Sequence, residues 1–323
     1  MIKQNVLEGG VSLKRQKKCV NWKSNQNSTK KVTLVMGALY EPQDFGQPVE
    51  RNQISLIRTR DTEKYFRPSC LPIKNTLVKN YQFFDTYYEK NYNEIKLPAQ
   101  LNRTPDETIL NYFSILREAA NLTPNQLGGC GTVGEAKSPF PIAYNFFTQD
   151  YYKRVSYDDY LQSFNGIGHL NLIKMNRLPD ESSFIPYFIE LETIEGSSKG
   201  ITYFAYYYGY IQLKKVQNLY KIDQMKLYGE DFLCAAYHLW QHDAEAVVGI
   251  MYGQWCKLIK QQMPTKQDGY VKTIDYIGTD GADYRFIFYQ LTNDTDVLIS
   301  QYKKDAAGTW QSIRIDPYKC IKN

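Results

Sequence analysis

Three short constellations in this chain of 323 residues hold side chains of the types that do chemistry. The first is GGCGTVGE at 128–135, where Gly129, Gly131 and Gly134 repeat the spacing G-x-G-x-x-G. That spacing cradles a dinucleotide pyrophosphate when it follows a strand and opens a helix. Here it follows a predicted helix and runs into EAKSPFP, whose prolines oppose a helix. The chain also lacks the parallel β-α alternation of a nucleotide fold. The segment reads as an insert between two helices, and no cofactor is expected.

The second constellation is Cys234, His238 and His242, spaced i, i+4, i+8 and flanked by Glu230 and Glu245. On a helix such residues lie within about 80° of one another, and thiolate, imidazole and carboxylate suit zinc. The opposite face is apolar, with Phe232, Ala236, Leu239, Trp240 and Val247. That leaves the histidine stripe as the natural solvent side. H-L-W-Q-H also lacks the glutamate of a zincin helix. The stripe is read as a solvated polar face, and no metal is assigned.

The third is the strand-like stretch ITYFAYYYGYIQLKK, residues 201–215. Alternation puts Phe204, Tyr206, Tyr208 and Tyr210 on one face and Tyr203, Ala205, Tyr207 and Ile211 on the other. One face must pack on helices. The other offers Tyr206, Tyr208 and Tyr210 as a ligand or partner surface, because aromatic patches mark contacts. Asp275, Asp283, Asp296 and His169 lie in or near predicted strands. Alternation forces none of them inward, so no catalytic residue is assigned.

These residues need elements to hold them. TPDETILNYFSILREAA opens on Thr104 as N-cap, with Pro105 in the first turn and Glu107 three residues on. Ile109, Tyr112, Phe113 and Leu116 then share one helical face. PIAYNFFTQDYYKRV predicts a second helix, and SYDDYLQSF a third, capped by Ser156. Strands follow in HLNLIKMNRL, FIPYFIELETIE, ITYFAYYYGYIQLKKV and LYKIDQMKL. The order then recurs. GEDFLCAAYHLWQHD and AEAVVGIMYGQWCKLIKQ predict helices, with acidic Glu230 and Asp231 in the first turn. YVKTIDYIG, DYRFIFYQLT, TDVLISQYKKD and GTWQSIRID predict strands. This is a divergent duplication with a period of about 110–120 residues, the size of a small domain.

Such an order resembles the nuclear transport factor two-like fold, also called the ketosteroid-isomerase-like or cystatin-like cone. AYNFFTQDYYKRVSYDDY and QHDAEAVVGIMYGQW look like the helix–acidic turn–helix stretch of its bacterial envelope members. The resemblance implies an α+β protein of two tandem cone-shaped domains, each with helices on a curved antiparallel sheet. The expected division is a disordered basic leader at 1–45, an extended or accessory segment at 46–103, and cones at 104–227 and 228–323. It also implies a non-catalytic binding or assembly module of the cell envelope or secreted fraction, similar to components of bacterial conjugation channels. The alternative is an isomerase- or hydrolase-like enzyme using one cone as its pocket.

Composition bounds these readings. The chain holds 28 Tyr against 4 Trp and 15 Phe, which favours half-buried strand positions. Its net charge of +5 is uneven: the first 100 residues hold 17 Lys/Arg against 9 Asp/Glu, the rest 22 against 25. The basic excess is densest at Lys14, Arg15, Lys17, Lys18, Lys23, Lys30 and Lys31. It is read as a solvated tail or targeting flank, the only route to a membrane contact. No nucleic-acid module is visible. VTLVMGALY at 32–40 looks like the shortened core of a secretion signal. An extracytoplasmic location is expected, with the cytoplasm as alternative, and a protein partner or small ligand. Among six scattered cysteines, a pair drawn from Cys234, Cys256 and Cys320 is plausible. Asn27, Asn102, Asn121 and Asn293 head Asn-x-Ser/Thr triplets.

Overall fold

The computed structural model describes residues 33–40, 67, 69–76, 81–126, 135–179, 183–230 and 240–321. The strongest local signals form as read. Thr104 Oγ1 accepts from Glu107 N at 3.1 Å and starts helix α2, Pro105–Arg117. Its buried face holds Ile109, Tyr112, Phe113 and Leu116, and it packs on two strands of a sheet. A short helix α1, Tyr81–Asp85, precedes it.

The predicted helix over 141–155 is two pieces, α3 at Pro139–Tyr144 and α4 at Gln149–Tyr152. Between them the backbone turns to a strand: Ile222 N donates to Phe146 O, and Thr148 N to Ile222 O, both at 2.9 Å. Thr148 then caps α4. Helix α5, Tyr157–Gln162, starts on Ser156 as expected.

The first sheet is built on a four-strand antiparallel meander: β3 Ile167–Arg177, β4 Ile185–Gly196, β5 Thr202–Val216 and β6 Leu219–Gly229. The β5–β6 turn has two residues, Gln217 and Asn218, both at positive φ. That is the turn whose twist matches a hairpin.

Residues 33–40 correct the expected leader. They form the hairpin β1 (Thr33–Val35) and β2 (Ala38–Tyr40), and β2 joins β6 in parallel through Leu39↔Lys226 and Tyr40↔Leu227. Met36 and Ala38 are buried, so this apolar run is core. The six-stranded order is β1-β2-β6-β5-β4-β3.

The helices cover one face of this sheet with an aromatic core that includes Tyr112, Phe146, Phe147, Tyr151 and Tyr160. Several buried hydroxyls are paired there. Tyr112 and Tyr160 meet at 3.3 Å, Tyr144 donates to Val155 O at 2.7 Å, and Tyr151 donates to Gly37 O.

In the second half the helix expected over 244–261 is shorter. Ala244–Val247 continues as a π-helix, Val248–Trp255, and Lys257 at φ 51 turns the chain into strand β7, Ile259–Gln262. Strands β8 Lys266–Asp268, β9 Val271–Gly278, β10 Asp283–Gln290, β11 Asp296–Lys304 and β12 Trp310–Ile313 complete a second antiparallel sheet. Its order is β12-β11-β10-β9-β7, with β8 also on β9. Val248 and Tyr252 pack on Ile274, Tyr276 and Phe286 of its inner face. The protein is α+β, with two six-stranded sheets and short helices. The described residues, 33 to 321, belong to one compact unit.

Candidate functional site

Strand β5 divides its tyrosines as its alternation requires. Tyr207, Ile211 and Leu213 join the helical core. Tyr206, Tyr208 and Tyr210 stand on the other face, opposite Glu192, Glu190 and Phe188 of β4. The chain's own second sheet packs against that face. Phe188 and Tyr289 meet edge to face at 5.1 Å, and Tyr208, Tyr210, Tyr270 and Val297 pack around them. Tyr228 stacks on Tyr208 at 5.2 Å.

Ionisable groups are sealed into the same junction. Lys174 Nζ lies 2.6 Å from Glu190 Oε2, with side chains 3% and 0% exposed. The ammonium also donates to Gln290 O at 2.7 Å and sits 5.0 Å over the Tyr270 ring. Glu190 Oε1 accepts from Thr292 N at 3.0 Å and from the Thr292 hydroxyl. One residue pair further along, Glu192 pairs with Arg67 and accepts from Ser69 Oγ at 2.5 Å and Tyr206 OH at 2.8 Å.

Glu230, expected in a helical first turn, is buried at the end of β6, its amide donating to Tyr206 O at 2.9 Å. Its carboxyl, beside that of Glu190, finds no hydrogen bond of normal geometry among the described residues. Burial, then the charge of Glu190, holds it well above the usual carboxyl range, with Lys174 opposing. Lys174–Glu190 and Arg67–Glu192 are thus buried, hydrogen-bonded pairs, and breaking either one would leave a charge uncompensated. The Lys174 and Glu190 side chains are closed off from water.

An open cleft of about 520 Å³ lies at the far end of the β5–β6 hairpin. Lys214, Lys215 and Lys221 line it, with Phe147, Tyr152 and Val216 as apolar wall. Lys221 Nζ donates to Asn145 O at 2.6 Å, and burial lowers its amine to about 8. Asp150, the one acidic residue of the lining, pairs with Lys153 at 2.8 Å and lies 3.8 Å from Lys214. The cleft therefore presents a cationic, partly apolar surface to solvent, suited to a ligand with an anionic group.

The other sequence candidates are scattered. Asp275 is clamped by Arg285 at 2.7 and 3.0 Å, which holds its carboxyl below the usual range. Asp296 accepts from Ala244 N at 2.9 Å and pairs with Lys272 at 2.7 Å. Asp283 lies 3.4 Å from Lys304. His169 meets Asn171 at 3.2 Å, and His242 meets Thr295 at 3.2 Å. Cys234, His238, the glycines at 128–134 and the basic run at 14–31 lie outside the described residues. Among the described residues no group of three or more His, Cys, Asp or Glu side chains is arranged for a metal. Cys256 and Cys320 are disulfide-bonded. Asn102, Asn121 and Asn293 are buried, so their triplets offer no glycosylation surface.

The sequence reading missed the three lysines of the cleft, which are distant from Asn145 in the chain and carry no spacing. It also missed Glu190 and Glu192. Their signal was available: two glutamates at period two in FIELETIE share one face of a strand whose other face is apolar. Comparison with protein-family models, curated proteins and solved structures finds no match.

Proposed function

We propose that this chain is a non-catalytic binding and assembly module that takes an anionic ligand or an acidic segment of a partner in the lysine cleft. The observation that carries this reading is the cleft itself: Lys214, Lys215 and Lys221 around an open, partly apolar hollow. The acid–base groups of the sheet junction are, by contrast, tied to one another and shut from solvent. We read the two helix-and-sheet halves as tandem cones of the nuclear transport factor two-like type. The Cys256–Cys320 disulfide supports an oxidising, extracytoplasmic compartment. No helix among the described residues is long and apolar enough to cross a membrane.

The test is equilibrium titration of the full chain with a hexaglutamate peptide at low and physiological salt. Saturable binding is expected, weakened by salt and at least fivefold by Lys214→Ala with Lys215→Ala. Binding that is absent, or untouched by that double substitution, rejects the reading.

A further inference from the structure

Lys221, half-buried, differs from the buried Lys174 of the sheet junction. Lys174 has a carboxylate at 2.6 Å. Among the described residues no carboxylate lies within ion-pair range of Lys221, and its amine meets one fixed acceptor, the carbonyl of Asn145. That carbonyl is itself held in place, because Asn145 Nδ2 donates to Pro141 O at 2.8 Å and to Tyr92 O at 2.7 Å. Nearby acids are engaged elsewhere: Asp150 with Lys153, and Asp223 with Thr148 Oγ1 at 2.8 Å and with Arg154. A half-buried amine without a counter-charge, on the wall of an open cleft, carries a larger neutral fraction than an ordinary lysine, because burial disfavours its charged form. Two further ammonium groups, Lys214 and Lys215, share that cleft.

We propose that Lys221 is a carbonyl-reactive lysine, and that the cleft takes an aldehyde or ketone bearing an anionic group and joins it as an imine. This rests on the cleft being the ligand site. The neutral amine supplies an electron pair to the carbonyl carbon, and a C–N bond forms. The nitrogen gives up its two protons, the carbonyl oxygen takes up two, and that oxygen leaves as water. No oxidant or reductant is needed, and hydrolysis returns both partners. Lys214 and Lys215 hold the anionic group while Phe147 and Tyr152 cover the apolar stem. A desolvated amine beside other cations is the general arrangement for such chemistry. At pH 7.5 an amine near 8 offers about 200-fold more free base than an ordinary lysine.

The probe is pyridoxal 5′-phosphate, an aldehyde with a phosphate, added to the full chain at pH 7.5. Borohydride then fixes any imine as a stable amine, and peptide mapping locates it. Lys221 is expected to label at least tenfold faster than the mean of the other lysines. Inorganic phosphate should slow that labelling, and so should Lys214→Ala with Lys215→Ala. Lys221→Arg, which keeps the charge and the donor to Asn145, should abolish the fast phase with its circular dichroism unchanged. Labelling spread over many lysines with no excess at Lys221 overturns the proposal, even where hexaglutamate still binds. Labelling at Lys221 that is indifferent to phosphate and to the double substitution overturns the anionic part of it.

Discussion

Lys174 and Glu190 face each other across 2.6 Å on adjacent strands of one sheet, and both bond onward to the other. The ammonium reaches Gln290 O, and the carboxylate reaches Thr292. One ion pair therefore pins two sheets. Removing one partner of a sealed pair leaves an uncompensated buried charge, which costs about 3–5 kcal/mol. Lys174→Met should lower stability to urea by that amount. Lys174→Met with Glu190→Leu should recover at least half of it, since both charges then leave together. A single substitution costing under 1 kcal/mol would show that water reaches the junction.

The second prediction concerns pH. Burial, and then the charge of Glu190, raises the Glu230 carboxyl above its ordinary range. The folded state then keeps a proton that the unfolded chain releases. Its contribution to stability is whole below about pH 4.3, the unfolded glutamate value. It is lost as pH rises from there toward the folded value. Glu230→Gln removes this loss. The variant should therefore melt higher than the parent by several degrees at pH 8, and by little at pH 4. An equal difference at both values would mean that Glu230 titrates normally.

What the sequence made legible was local. Thr104 and Ser156 announced their helices because a cap and its helix are adjacent in the chain. The long strands showed themselves by alternation, which also sorted Tyr206, Tyr208 and Tyr210 onto one face. What covers that face was not legible. Tyr289 and Val297 come from the other half of the chain, and no local pattern tells them to meet Phe188. The hairpin at 33–40 failed for the same reason. Its apolar run suits a signal core equally well, and only its partner β6 decides that it is a strand. Lys221 was silent because its environment is made by Asn145 and the turn before α4.

Gly209, between Tyr208 and Tyr210, supplies a third prediction. A Cβ there would stand 1.9 Å from the Lys226 carbonyl oxygen on β6. Backbone on both sides cannot yield without breaking the β5–β6 ladder, where Gly209 pairs with Leu227. Gly209→Ala should cost about 3 kcal/mol, the upper range for forced overpacking. Tyr210→Phe next to it keeps the ring and should cost less than 1 kcal/mol. Chemical denaturation of the two variants side by side checks this. Parity between them would mean that the strands sit further apart than described.

The disulfide sets the last prediction. Cys256 follows the π-helix, Cys320 lies in the C-terminal turn, and the bridge spans 64 residues that contain all of the second sheet. Closing a loop of that length removes unfolded-chain entropy equivalent to about 4 kcal/mol. Reduction, or Cys256→Ser with Cys320→Ser, should lower the melting temperature. The loss should centre on the second sheet, because the first sheet keeps its own helical core. Hydrogen exchange reads the difference: amides of β9, β10 and β11 should lose protection first, while those of β3 to β5 hold theirs. Uniform loss across both sheets would show that the junction at Lys174 and Phe188 couples the halves into one cooperative unit. Thiol titration of the oxidised, folded chain that finds Cys256 and Cys320 reactive would remove the bridge, and with it the support for an oxidising compartment.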